Sequence, residues 1–479
     1  MNFNTADLIV SLPEIFILVM TCFILVVELF AEERGKSVAY GFSQFTLVGA
    51  LALSVLQTNF DQVMAYNNFF INDFLALVSK TFVYITTFFG FAYSREYLRE
   101  RNMYKGEFFV LALFGVLGMN VMISGHNLLT LYMGLELLAL SLYALVAFNR
   151  DSVKAVEAAM KYFVLGALAS GMLLYGMSIL YGVTGSLDLL EIAVSVSTGK
   201  QNEVVMAFAL SFVIVGLAFK LGAVPFHMWV PDVYQGAPTP VTLYLGAAPK
   251  IAALVMTLRL LADGLGGLAS HWQDMLVVLA VLSLAIGNLV AIVQTNIKRM
   301  LAYSTISHIG FLLLGILAGS KAGYSAALFY AITYTLTAAA GFGIILLLSR
   351  AGFEADEIAD LKGLNQRSPW FAFLMLLVMF SMAGVPPMVG FYAKLVVLSA
   401  IIDQGLLWLA ITAVVFSVIG AYYYLRILKV MYFEDPEQEA PAILRSMDMK
   451  VTLSFNSLLI VVLGIFPGGL MSLCLDAIG

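Results

Sequence analysis

The sequence predicts an all-α membrane protein of about fourteen transmembrane helices, and three observations predict it. Of its 479 residues 61% are hydrophobic and only 11% charged, with a mean hydropathy of +0.95, whereas soluble domains run near a quarter charged. The apolar residues fall in long runs separated by short polar connections, and roughly 20 such residues suffice for a helix to cross a bilayer. The basic residues sit almost entirely in alternate connections. Backbone groups in lipid must be satisfied within each span, which leaves helices for runs of this kind.

In chain order the runs cover 8–30, 38–56, 69–92, 108–124, 128–148, 155–181, 204–234 with an interruption, 239–261, 275–295, 301–318, 324–349, 370–402 with an interruption, 406–433 and 451–473. The first follows MNFNTAD, without a basic stretch or a small-residue cleavage site, so it is expected to be a retained helix rather than a signal peptide. The odd-numbered connections hold Arg34, Lys36, Arg95, Arg99, Arg101, Lys105, Arg150, Lys154, Lys298, Arg299, Arg350, Lys362, Arg367, Arg426, Lys429, Arg445 and Lys450. The even-numbered ones hold only Lys200, Arg259 and Lys321. Cytoplasmic loops are the basic ones, so both termini are expected to face away from the cytoplasm. A missed or invented span would have scrambled the alternation.

Segment seven is interrupted at KLGAVPFHMWVP and segment twelve at MAGVPPMVGFYAK. Proline removes a backbone donor and clashes with the preceding turn, so both helices should be discontinuous there. Corresponding breaks five segments apart predict two five-helix repeats, and an odd number of spans per repeat makes the copies inverted. The expected organisation is helices 1–3 in residues 1–106, a first repeat (helices 4–8) in 107–270, a second (helices 9–13) in 271–433, and helix 14 in 434–479.

Of the 25 Lys and Arg residues, seventeen lie in odd connections and three in even ones; the remaining five, Lys80, Lys161, Lys220, Lys250 and Lys394, all fall within spans. None is an arginine. An arginine does not give up its proton in a protein, whereas a buried lysine can. Each intramembrane charge costs at least ~2.5 kcal/mol on insertion scales, so five lysines need a reason. Glu136, in LYMGLELLALSLY, is the carboxylate expected deep within a span, with Asp73, Glu14 and Glu28 nearer segment ends. Glu136 could form a structural ion pair with a lysine of a neighbouring helix, or it could set that lysine's proton affinity. Lys161 could snorkel to the interface. Lys220 precedes the first break near mid-segment, Lys250 follows Pro249, and Lys394 follows the second break. Lys80 could pair locally with Asp73, seven residues earlier. His227 at the first break and His308 in STISHIGFLL are relay candidates, since imidazole passes protons near neutral pH; each could equally be a packed, hydrogen-bonded residue.

Other chemistries are poorly served. Cys22 and Cys474 form no C-x-x-C pair and offer no iron–sulfur ligand set, and both are expected to be packing residues. No phosphate loop, credible dinucleotide fingerprint, metal spacing or nucleophile triad is present. The GLGG at 264–267 reads as a loop. The net charge of −5 decides little in a membrane protein.

Taken together, Glu136, Lys161, Lys220 with GAVPFHMWVPD, Lys250 with APK, KRMLAYSTISHIGF and GVPPMVGFYAK resemble the antiporter-like membrane subunits of respiratory complex I, a family shared with multisubunit cation/proton antiporters. The resemblance covers nearly the whole chain. Lysine at 394, where one of three related subunits has glutamate, and an end soon after segment fourteen single out one of those three. The resemblance implies that Glu136 and Lys161 form a charged switch facing an adjacent subunit, that Lys220 is the central proton-holding lysine of one half-channel, and that Lys250 connects across the middle. It implies that Lys394 is the terminal lysine toward the periplasm, with His227 and His308 in hydrated relays between the lysines. No cofactor is expected in this chain. Flavin, iron–sulfur clusters and quinone would belong to partner subunits, in a bacterial inner membrane, with no nucleic-acid partner. The alternatives are a subunit of a stand-alone cation/proton antiporter using the same lysines, a structural membrane anchor, and a haem-carrying electron-transfer subunit, which the four histidines serve poorly.

Overall fold

The computed structural model describes residues 5–30, 32–57, 62–199, 201–435 and 446–479, with the backbone alone for 32–36. Lys200 and Arg445, and the side chains of Arg34 and Lys36, lie outside the described residues. Among the described residues, thirteen helices are long and apolar enough to cross a membrane. In order they are span 1, Leu12–Phe30; span 2, Ser37–Leu56; span 3, Phe74–Glu100; span 4, Gly106–Ser124; span 5, Leu128–Val146; span 6, Val153–Thr184; span 7, Glu203–Leu221; and span 8, Thr239–Gly264. Then come span 9, Gly266–Ile292; span 10, Ile297–Leu317; span 11, Lys321–Leu348; span 13, Leu407–Phe433; and span 14, Met447–Ile465. The shorter pair Pro369–Ala383 and Val389–Asp403 supplies span 12, so the fourteen expected segments are all present as helices.

The two interruptions share one local geometry. Span 7 stops at Gly222 and resumes as the helix Trp229–Gly236; span 12 stops at Gly384 and resumes at Val389. Both glycines have φ +87°, a left-handed conformation that costs an L-residue with a side chain roughly 1–2 kcal/mol. Gly222 N–H donates to the carbonyls of Ala218 and Phe219 and Ala223 N–H to Ala218, as Gly384 does to Phe380 and Ser381 and Val385 to Phe380. This is the glycine-terminated helix end that closes the last turn on itself; the prolines that follow cannot continue the helix.

Two further discontinuities depart from the sequence reading. Segment eight was expected to run unbroken, but Ala247, at φ −112° and ψ −96°, separates Thr239–Gly246 from Ala248–Leu258, and a π-helical turn, Arg259–Gly264, ends the span. Pro249 explains the kink: it has no N–H for the preceding turn and its ring crowds the carbonyl four residues back. The last segment, expected to be continuous over 451–473, divides at Pro467 into Met447–Ile465 and Gly468–Ala477 for the same reason.

Ion pairs and backbone bonds sort the connections onto two ends. Arg101 pairs with Glu354 at 2.9 Å, Arg299 with Asp232 at 2.8 Å and Arg95 with Asp448 at 3.2 Å, while Arg426 donates to the carbonyls of Ile292 and Gln294. Each of these joins two odd-numbered connections or the span ends beside them. At the other end Arg259 pairs with Asp73 at 2.6 Å, and a two-stranded hairpin, Val63–Ala65 with Phe70–Asn72, forms the second connection and bridges through Phe70 to Gly125 in the fourth.

Several backbone contacts of one half of the bundle recur in the other. An antiparallel bridge joins Asn127 to Asp188 and another joins Asn296 to Glu357, and the same interval separates the members of the first pair from those of the second. Leu128 N–H donates to Leu187 O and Ile297 N–H to Asp356 O, again at that interval. Spans 4 and 5 touch at Gly118, where an added Cβ would lie 2.6 Å from Leu138 N; spans 9 and 10 touch at Gly287, where it would lie 2.6 Å from Ser307 N. By this register Glu136 corresponds to Thr305, Ala139 to His308 and Lys161 to Tyr330.

Burial is uneven. The most apolar stretch of span 8 is buried throughout and those of spans 10 and 11 to 94%, against 28% in spans 1 and 14. Exposed Leu, Val, Ile and Phe side chains concentrate on spans 1, 6, 13 and 14, as expected of surfaces facing lipid or another membrane chain.

Candidate functional site

Span 5 begins at Asn127, whose side chain accepts from Leu129 N–H, and carries Glu136 about two turns further in. Glu136 accepts a hydrogen bond from Ser170 on span 6. It lines a cavity of about 20 Å³ with Tyr143, Tyr162, Ser170, Phe219 and Lys220, room for about one water molecule. The amine of Lys220 is itself buried and has no hydrogen-bond partner among the described residues. A carboxylate and an unpartnered ammonium therefore face one water-sized space, in a setting where leaving a polar group unpaired is costly.

Lys161 does not pair with Glu136. Its amine lies 2.9 Å from Asp232 and 2.9 Å from Glu157, with the side chain 45% exposed; Asp232 in turn holds Arg299. The resemblance implied a Glu136–Lys161 pair, but span 6 turns Lys161 toward the helix after the first break, and Glu136 points inward instead. The exposed Lys161 and Glu157 share a helix face with the exposed apolar residues Met160, Phe163, Val164 and Leu168.

Lys250 and Lys394 each bind the end of a broken helix. Lys250 donates to Leu221 O at 2.8 Å, the last helical residue of span 7, and its amine lies 5.7 Å from the Trp229 ring. Lys394 donates to Met382 O at 3.1 Å, Ala383 O at 2.9 Å and Ser417 Oγ at 2.9 Å. A helix C-terminus carries partial negative charge on carbonyls without intrahelical partners, so each break makes a cation site near the bundle centre. Trp229 Nε1 donates to Phe219 O at 3.0 Å and Val224 N–H to Ser283 Oγ at 2.9 Å, which ties the first break to the helices around it.

Of the relay candidates, His227 lies within the first break, partly buried, its Nδ1 without a partner among the described residues. His308 is hydrogen-bonded on both ring nitrogens, Nδ1 to Tyr330 OH at 2.6 Å and Nε2 to Tyr424 OH at 3.1 Å. It lines a second cavity of about 20 Å³ with Tyr330, Tyr334, Ser381 and Met382. The structure thus brings Glu136 to Lys220 and His308 to the second break, and it leaves Lys161 at the surface.

Lys80 requires a correction. It pairs with Glu14 of span 1 at 2.7 Å, the two side chains 2% and 8% exposed, rather than with Asp73, which caps span 3 and binds Arg259. Glu14, near the start of span 1, is thus buried while Glu136 is half-buried, and two bases assigned to connections from the sequence, Arg259 and Lys298, are buried as well. Cys474 is buried as expected of a packing residue, but Cys22 is exposed. Helical spacing on one chain gives no signal for pairs between helices, and Ser170, Asp232 and Ser417 were missed for that reason. Among the described residues no group of three or more His, Cys, Asp or Glu side chains is arranged to hold a metal ion.

Residues 125–420 match the family profile described as NADH:quinone oxidoreductase/Mrp antiporter, TM. A protein of Thioalkalivibrio sulfidiphilus, NADH-quinone oxidoreductase subunit N, is 62% identical over 479 residues, all of both chains. A chain of respiratory complex I from Thermus thermophilus superposes with a TM-score of 0.83 at 30% identity, covering 96% of this chain and 98% of its own. A chain of the archaeal membrane-bound sulfane sulfur reductase reaches 0.87 at 26%, covering 99% and 97%.

Proposed function

We propose, from the premise that this chain belongs to the NADH:quinone oxidoreductase/Mrp antiporter family, that it moves protons across the bilayer as an antiporter-like membrane subunit of an NADH-quinone oxidoreductase. It corresponds to subunit N. Its catalytic part in that enzyme is translocation, without redox chemistry of its own; flavin, iron–sulfur clusters and quinone belong to partner subunits. It lies in the inner membrane of a bacterium, the basic connections cytoplasmic and both termini periplasmic, with residues 107–270 and 271–433 as its inverted repeats.

The observation that carries this reading is the cavity shared by Glu136 and the unpartnered amine of Lys220. Across a gap one water wide, about 5–6 Å, two unit charges interact by roughly 3 kcal/mol at an effective dielectric of about 20. A neighbouring subunit that alters the charge of Glu136 therefore changes the proton affinity of Lys220 by about a hundredfold. Lys161, held by Asp232 and Glu157 on an exposed face, is the group through which an adjacent chain acts. A proton leaving Lys220 passes by way of His227 and Lys250, which binds the end of the helix that carries Lys220. His308 then relays it to Lys394, the last holder before release.

The test uses the whole complex reconstituted in liposomes, with acidification followed during NADH oxidation. Lys220→Ala and Glu136→Ala should each slow acidification by about tenfold or more, since a positioned proton-transfer group contributes at least that much. Normal acidification by a complex carrying both replacements would sink the reading.

A further inference from the structure

Four side chains of the second repeat form an unbroken hydrogen-bonded row that no lysine interrupts. Ser304 Oγ lies 2.5 Å from Tyr424 OH, Tyr424 OH lies 3.1 Å from His308 Nε2, and His308 Nδ1 lies 2.6 Å from Tyr330 OH. All four residues are buried. They come from spans 10, 11 and 13, so no single helix imposes the arrangement. At its inner end His308 and Tyr330 line the cavity of about 20 Å³ that Met382 also lines, and the carbonyl of Met382 holds the amine of Lys394.

The row has a direction. Ser304 is seven residues from the start of span 10 at Ile297, about 10 Å at 1.5 Å per residue, and that start bears Lys298 and Arg299. Tyr424 is nine residues from the end of span 13 at Phe433, about 13 Å by the same rise, near Arg426 and Lys429. Both ends belong to the side of the bundle with the basic connections. Tyr330 lies nine residues from the opposite end of span 11, at Lys321. The row thus runs inward from the basic side to the second break.

We propose that Ser304, Tyr424, His308 and Tyr330 are a proton wire that leads from the basic side of the membrane to Lys394, feeding the same His308 that Lys250 feeds. This deepens the reading of the chain as a proton carrier and rests on it. The transfer is balanced at every atom: Tyr424 gives its phenolic proton to His308 Nε2 while taking one from the Ser304 hydroxyl. The imidazolium releases its other proton from Nδ1 to Tyr330, whose own proton passes into the cavity beside Lys394, and Ser304 is refilled from the basic side. Imidazole suits the middle position because it accepts at one nitrogen and donates at the other. At the corresponding positions of the first repeat Ala139 replaces His308, Leu135 replaces Ser304 and Lys161 replaces Tyr330; a shorter row there, Tyr132 to Ser170 to Glu136, ends on a carboxylate and holds no imidazole.

The test compares three tyrosine-to-phenylalanine variants of the intact complex in liposomes. Tyr424→Phe and Tyr330→Phe each remove one hydroxyl from the row and keep the ring. Tyr244→Phe is the control, since its ring is as buried as theirs while its hydroxyl donates to Ala112 O, away from the row. Acidification per assembled complex should fall about two- to tenfold in Tyr424→Phe and Tyr330→Phe, with a larger solvent deuterium isotope effect than in the parent, and stay near the parent rate in Tyr244→Phe. Should one variant fail to assemble, the other carries the comparison. If both match Tyr244→Phe while Lys220→Ala still abolishes acidification, the wire is wrong and the proton-carrier reading stands. If Lys220→Ala has no effect either, the underlying reading fails.

Discussion

Replacing Gly384 with alanine tests whether the contact between Lys394 and the broken end of span 12 matters for transport. At φ +87° the added side chain costs roughly 1–2 kcal/mol in backbone strain. The new Cβ would stand 3.0 Å from Lys394 Cδ and 3.2 Å from its Nζ, inside the 3.5–4.0 Å optimum for such contacts by several tenths of an ångström. The amine must move, and the longer of its two backbone bonds, 3.1 Å to Met382 O against 2.9 Å to Ala383 O, is then stretched to a length at which it no longer counts as a hydrogen bond. Losing one charged hydrogen bond adds about 1.5–3 kcal/mol, so the second break is perturbed by roughly 3–5 kcal/mol in all. Gly222→Ala is the matched comparison, because its φ is the same but its Cβ meets Val230 at 2.9 Å and stays 3.8 Å from the Lys250 amine. Both variants should lower the yield of assembled complex. Only Gly384→Ala should slow acidification strongly per assembled complex, read as dye-reported acidification normalised to NADH oxidation with an artificial acceptor. Equal transport by the two would refute the argument.

Two further outcomes follow from groups away from the transport residues. Lys80→Met strands Glu14 without its buried partner, which should destabilise the chain by about 3–5 kcal/mol; the double variant with Glu14→Gln should recover most of the loss, as read from thermal unfolding of the purified complex. His126 lies between spans 4 and 5 and is buried with an unpartnered Nδ1. Burial first, and then the nearby Arg259, hold it below its ordinary value of 6.5, against the opposing pull of Asp188, Asp263 and Asp73. The unfolded chain therefore binds the proton more readily, and the stability this residue contributes is present above about pH 6.5 and lost progressively as pH falls below it toward the lower value of the folded state. Melting temperatures at pH 5.5 and 7.5 should differ in the parent and converge in His126→Gln.

What could be read from the chain alone was whatever has a local cause. The two breaks were legible because Gly-Val-Pro in an apolar run leaves a helix few options, and fourteen spans were legible because length and the alternation of basic connections check each other. The kink at Ala247 was missed although Pro249 was in view, since proline is tolerated in membrane helices where neighbours satisfy the freed groups. Pairings between helices were the larger loss. Nothing near Lys80 in sequence points to Glu14, and nothing near Lys161 points to Asp232. Tyr330 and Tyr424 were invisible for a different reason: among 22 tyrosines a relay hydroxyl has the same signature as a packing ring.

The contrast in burial between the inner and outer spans bears on how the chain enters the membrane. Span 8 has no lipid-facing side in its most apolar stretch, carries the buried Lys250 and Arg259, and is kinked; spans 10 and 11 are nearly as enclosed. Released singly into lipid during synthesis, span 8 would expose two cations and the unpaired backbone groups of its kink to hydrocarbon. Span 14, with 28% burial, meets no such penalty, and span 1, equally exposed, carries its charges, Glu14 and Glu28, near its two ends. The insertion machinery must therefore hold span 8 in a protein or wet environment until its neighbours are made. The last of these, span 11, comes more than fifty residues later, which sets a minimum length of chain that biogenesis has to shelter before the bundle can close.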